Sequence, residues 1–326
     1  MDADTVDALR MVVGLDSHDP DERALAAVAA ALSRLGPPAA PTRYTDEERL
    51  GLPEDLYEEH DVFFGAVRVT GNPVQEFTRT MLEAVKGQLH DALSAGVTLG
   101  TDEWDQLRDS FRTVFRLLWR VGAADTHWAG AERDTDAPPA VAIRPVDVDP
   151  LMRWRLGHQV FFALIQALVV AVGCVEETLE TEPDEACRLL EDATVLMIGS
   201  GAALRFAGDF TRPAYADVVR PAMMPPHINA KFSGLQLRDH RMLLKGFGRI
   251  KPLVAKADPE VRETYGFLVA AMSTAYDAHV AVCARFGGDR EPSLRTPESA
   301  VAAVDVLDRF RAKRIGAVSI DGGRSR

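Results

Sequence analysis

Cysteine is scarce: the 326-residue chain has three, Cys174, Cys187 and Cys283. Three thiols cannot form a disulfide framework, and no CxxC pair offers the spacing of a structural zinc site. Cys174 and Cys187 read as ordinary thiols. Positive charge is also short, with 37 Lys and Arg against 49 Asp and Glu and a formal charge of −12. Nucleic acid and anionic membrane both call for basic patches, so neither is an expected partner. The longest apolar run, Val160 to Cys174, contains Gln166 and is too short for a bilayer span. The N-terminus, MDADTVDALR, lacks the basic flank and apolar run of a secretory signal, so the expected compartment is a reducing cytoplasm. Alternating strand patterns and fixed-period repeats are missing too. No Gly-rich phosphate loop, HExxH or GxSxG occurs, which leaves few standard routes to catalysis.

What is present is helical periodicity. The chain is 47% apolar and 26% charged, an ordinary soluble composition, and long enough to bury a large core. Residues 1 to about 35 read as one or two acidic helices, with Asp19-Pro20 as a start signal, and residues 36–53 as a proline-rich linker. After the Gly71-Asn72-Pro73 break, an apolar stripe runs through Phe77, Met81, Val85 and Leu89. A second runs from Trp104 to Leu118 behind a Thr101-Asp102 cap, and residues 122–148 read as a long loop. Asp149-Pro150 starts a helix carrying Trp154, His158, Phe162 and Ile165, and another follows from about Asp184 to Phe206. The proline-heavy stretch 207–232 reads as irregular with a fixed path. Three more helices are expected: one through Leu237, His240 and Leu244, one over about 258–286, and one through Val301, Leu307 and Phe310. The basic, polar tail after Arg311 is expected to fray. Helices joined by loops predict an all-α fold.

In the helix ending FLVAAMSTAYDAHVAVCARF, His279 and Cys283 share the apolar stripe, about one turn apart. An imidazole and a thiol leaving one face together could hold an iron and anchor a macrocycle around it. A histidine bonded to a carbonyl beside a cysteine acting as a small hydrophobe fits the same spacing. Of the eight histidines, His18, His90 and His127 lie among polar residues. His60 precedes an apolar run, and His227 follows Pro226 in the irregular stretch. That leaves His158, His240 and His279 on inward stripes. A buried imidazole needs a partner for each ring nitrogen, and three on three faces exceeds what core packing requires. With CxxCH absent, any haem must be held by another arrangement.

The run SGLQLRDHRMLLK (233–245), followed by YDAHVAVC (276–283), resembles the His…HisxxxCys signature of the histidine-ligated haem-dependent aromatic oxygenases. These belong to the tryptophan 2,3-dioxygenase superfamily. WRLGHQVF (154–161), YAD with RPAMMPP (215–226) and GDREPSL (288–294) look like further family segments. The likeness covers about residues 57–312. It implies an all-α haem domain like the tryptophan and indoleamine dioxygenase fold, flanked by an N-terminal segment (1–56) and a polar tail (313–326).

Carried over position by position, the resemblance implies His279 as proximal haem ligand, Cys283 as a single thioether to a haem vinyl, and His240 as second axial histidine. Ser233 and Gly234 match the turn that borders haem and substrate, and Arg220 the arginine that clamps the amino-acid carboxylate. Val69 stands where the dioxygenases place a histidine, which favours monooxygenation over ring opening. His158 is then a candidate to orient a phenol or indole N–H, with an ordinary buried histidine as the alternative. The implied activity is insertion of one oxygen into an L-tryptophan derivative, forming a 2-oxindole in antibiotic biosynthesis. The alternative is hydroxylation of L-tyrosine or 3-methyl-L-tyrosine, and a bis-histidine haem sensor or electron carrier is a rival of another class. Peroxide, or dioxygen with a reductant, is the implied oxidant, and a homodimer the implied assembly.

Overall fold

The computed structural model describes residues 22–45, 54–122, 148–228, 237–292 and 299–320. His18, the Asp19-Pro20 signal, His127 with nearly all of the expected 122–148 loop, and Ser233-Gly234 lie outside these residues. The described chain is all-α, as the sequence predicts. The helices are α1 (Glu22–Arg34), α2 (Glu54–Phe64), α3 (Pro73–Ala95), α4 (Thr101–Gly122), α5 (Pro150–Thr178), α6 (Pro183–Ala207), α7 (Arg238–Val254), α8 (Pro259–Arg285) and α9 (Ala303–Val318). Strands are absent among the described residues, where two isolated bridges, Pro41 with Val69 and Pro292 with Ala302, pin loops.

The break at 71–73 proves to be a helix start, and Asp149-Pro150 starts a helix as the sequence suggests. The Asn72 side chain accepts from the backbone N–H groups of Val74 and Gln75, with Pro73 in the first turn. Asp149 does the same for Leu151 and Met152, ahead of Pro150. Each cap satisfies donors that the first turn leaves open, worth about 1 kcal/mol. Chain reversal after α3 uses Gly96 at φ 72°, a conformation that glycine adopts without strain.

α5 is the axis of the bundle and packs against α6, α7 and α3, while α6 packs in turn against α8 and α4. Burial on several sides explains why α5 is apolar nearly all round. By length and composition α5 and α8 could each cross a membrane, and α5 extends well beyond the apolar run 160–174 read from the sequence. Most of its apolar stretch is nonetheless buried against neighbouring helices. Contact between α5 and α6 is close because residue 157 is glycine: a Cβ there would collide with the backbone of Ala207.

Two stretches depart from the sequence reading. Within 207–232, residues Arg212–Ala214, a π-helical turn Tyr215–Val219 and Arg220–Ala222 form consecutive helical turns. Pro213 sits in the first turn, where no backbone donor is lost, and the coil continues past Pro221 directly after the π-helical turn. The expected fraying tail is also helical, since α9 continues to Val318. There the Tyr265 hydroxyl donates to the Val318 carbonyl at 2.8 Å, and Lys251 Nζ donates to the Ala317 carbonyl at 2.7 Å.

Candidate active site

α7 and α8 present His240 and His279 to one cleft, which α5 and α6 close with Phe161, Ile165, Met197 and Leu204. The cleft encloses a cavity of about 50 Å³, well below the ~300–1,000 Å³ usual for small-molecule sites. Helical spacing accounts for the lining. His240, Leu243 and Leu244 recur on one face of α7, and Met272, Tyr276 and His279 on one face of α8. The first turn of α7 is fixed next to His240. There Asp239 accepts from Arg68 and from Gln166, each at 3.1 Å, and Arg68 also holds Asp61 at 2.9 Å.

Both cleft imidazoles are neutral at pH 7. Burial pushes His240 down to about 3, with the positive Arg314 and then His279 adding to the effect. Burial, helped by Arg314, pushes His279 down to about 4. Arg314 reaches in from α9 and donates from Nη1 to His240 Nε2 at 3.1 Å. A guanidinium only donates, so Nε2 is the acceptor and the imidazole proton is assigned to Nδ1. The same Nη1 donates to the Tyr276 hydroxyl, and the guanidinium lies 5.8 Å from the ring centres of Tyr276 and Phe310.

Cys283 lies one turn beyond His279, past the residues that line the cleft. Burial pushes its thiol up to about 11, so it carries its proton at neutral pH. Behind the cleft is an aromatic box. His158 stacks on Phe64 at 4.7 Å and packs against Trp154 at 4.4 Å, and its Nδ1 lies 2.7 Å from the Trp154 carbonyl. That is the partner expected of a core histidine, and burial pushes this imidazole down to about 3. His60 is buried nearby against Phe64 and Phe162. The π-helical turn places Tyr215 on Phe286, rings stacked 4.3 Å apart, so the box closes against the end of α8.

Of the residues singled out from sequence, His240 and His279 meet in the cleft, Cys283 continues their stripe, and His158 stands behind it. His227 is exposed. Arg220 does not line the cleft. It pairs with Glu291 of the loop after α8 at 3.4 Å, and it bonds the Tyr215 side chain. Sequence reasoning missed Arg314, which lies in the stretch read as a fraying tail. The signal was there: Ile315 and Val318 extend the stripe begun at Leu307.

The model of the family described as SfmD 3-methyl-L-tyrosine peroxygenase matches residues 2–264, ending before His279 and Cys283. A 3-methyl-L-tyrosine peroxygenase of Streptomyces lavendulae is 32% identical over 265 residues, 80% of this chain and 70% of that protein. A solved structure, the crystal structure of reduced SfmD soaked with sodium hydrosulfite, is similar with a TM-score of 0.65 at 30% identity. The match covers 86% of this chain and 90% of that one. Sequence and fold agree over most of both chains, and the chain belongs to the SfmD 3-methyl-L-tyrosine peroxygenase family.

Proposed function

We propose that the chain is a haem-dependent peroxygenase that hydroxylates the ring of a tyrosine-type L-amino acid. The observation that carries this reading is the pair of neutral imidazoles, His240 and His279, offered by two helices to one largely apolar cleft. Neutral imidazole is a good iron ligand. Among the described residues no group of three or more His, Cys, Asp and Glu could hold a metal ion. A metal bound by two protein donors takes its remaining ligands from elsewhere, so by donor chemistry the pair suits an iron porphyrin, although the cleft must widen to admit one. His279 and His240 would hold its iron. Cys283 would form one thioether: a protonated thiol adds sulfur and hydrogen across a vinyl group with nothing left over.

Haem, when bound, supplies the oxidising chemistry. The overall reaction, Ar–H plus H2O2 giving Ar–OH plus H2O, needs no outside electron donor, whereas dioxygen would require a reductant. The chain's part is to hold the ring, shield it from water with Phe161, Ile165, Met197 and Leu204, and supply His240 once Arg314 gives up its hold on Nε2. The tyrosine alternative has the support of relatives named for 3-methyl-L-tyrosine. The tryptophan 2-oxindole reading, like placement in the tryptophan dioxygenase superfamily, rests on sequence likeness alone. The catalytic unit, drawn from the likeness as 57–312, is extended here to Val318, because α9 carries Arg314 into the site.

The test is incubation of the haem-loaded protein with hydrogen peroxide and, separately, 3-methyl-L-tyrosine, L-tyrosine and L-tryptophan. A gain of one oxygen in a tyrosine-type product is expected, and no product from either tyrosine would overturn the reading. Mass spectrometry of the denatured protein should find haem attached to wild type and released from Cys283→Ala.

A further inference from the structure

We propose that Arg314, with the Tyr276 hydroxyl beside it, is the anion site of the cleft and takes a carboxylate. Arg314 lies beyond the residues that the family model matches. Its partners are all neutral: an imidazole nitrogen, a phenol oxygen and two aromatic faces. Among the described residues no carboxylate comes within ion-pair distance of it. Other arginines near the site are treated differently. Arg220 has Glu291, Arg68 has Asp61 and Asp239, and Arg153 has Asp91 and Asp209. A half-buried guanidinium facing only neutral acceptors is an uncompensated cation, and a ligand that brings the missing negative charge is held strongly there.

The hydrogen-bond roles define the ligand. Tyr276 accepts from Arg314, so its own proton remains available to a second acceptor. Burial raises the Tyr276 phenol further above its usual range, which keeps that proton in place. An incoming carboxylate can therefore take N–H from Arg314 with one oxygen and O–H from Tyr276 with the other. Two sources carry such a group into this cleft if the proposed function holds: the amino-acid substrate, and a propionate of the macrocycle.

The test compares wild type, Arg314→Lys and Arg314→Met. Binding of L-tyrosine and of tyramine, which lacks the carboxylate, is measured by calorimetry on the haem-loaded protein. If the substrate is the source, Arg314→Met weakens L-tyrosine on the order of tenfold or more, leaves tyramine unchanged, and Arg314→Lys recovers part of the loss. If a propionate is the source, Arg314→Met speeds haem transfer to apomyoglobin, whereas haem dimethyl ester is retained equally by both proteins. Should Arg314→Met match wild type in both experiments, the carboxylate site is overturned. A chain that takes up no haem would defeat the proposed function. The L-tyrosine and tyramine pair, run on the haem-free chain, would then decide the fate of Arg314.

Discussion

Around Arg153 every donor nitrogen has a strong acceptor: Nε on Asp91 at 2.7 Å, Nη1 on the Asp209 carbonyl at 3.0 Å, Nη2 on the Gly96 carbonyl at 2.6 Å. Around Arg314 the acceptors are one phenol and one imidazole. Arg153 is fully buried, with Asp91 and Asp209 almost as inaccessible. It ties the ends of α3 and α6 to the start of α5 and leaves no room for anything else. Arg314 is half-buried beside His240 and Tyr276, which line a cleft that opens to solvent. Charge closed in upon itself builds architecture, while charge left short of a counter-ion at an opening marks a place for a ligand.

The sharpest way to break that contrast is to remove the closed charge. Arg153→Met strands two buried carboxylates and should reduce unfolding free energy by about 3–5 kcal/mol in urea denaturation. A loss under about 1 kcal/mol would mean the network is not structural. An intermediate effect comes from acid, through the satisfied and neutral His158. Its folded value of about 3 lies below the ordinary 6.5, so the unfolded chain takes up the proton first as pH falls. Its contribution is complete above about 6.5 and is lost as pH drops towards 3. Thermal melts of the haem-free protein between pH 7.5 and 4.5 should therefore show a falling Tm, with a shallower slope in His158→Phe. An unchanged slope would remove His158 from the account. The smallest effect belongs to Arg314→Met, whose unfolding free energy should stay within about 0.5 kcal/mol of wild type. A loss on the scale of Arg153 would place Arg314 among the structural residues instead.

Helices were legible from sequence where apolar spacing and caps agreed, as at Asp149. The pairing of His240 with His279 was legible because both lie on inward stripes, and a stripe fixes a face without knowledge of the partner helix. Partners were not legible. Arg220 looked like a carboxylate clamp in a linear comparison, but Glu291, on the loop after α8, already holds it. Arg314 went unseen because its helix was taken for a frayed tail: Arg311, Lys313 and Arg314 crowd the stripe of Leu307, Ile315 and Val318. Prolines misled in the opposite sense at 207–232. Residue type alone does not say whether a proline stands in a first turn, as Pro213 does, or within a coil that continues past it, as Pro221 and Pro252 do.

A π-turn carries one residue more than an α-turn needs to advance the same way along the axis. At Tyr215–Val219 that surplus acts as a spacer setting the angular phase between Tyr215 and whatever follows. Were the same residues wound as ordinary α-helix, the surplus one would turn the two ends relative to each other by roughly 100°. The phenol ring could then no longer lie flat on Phe286 while Arg220 kept hold of Glu291. Winding at this point in the chain thus decides whether both side chains reach their partners.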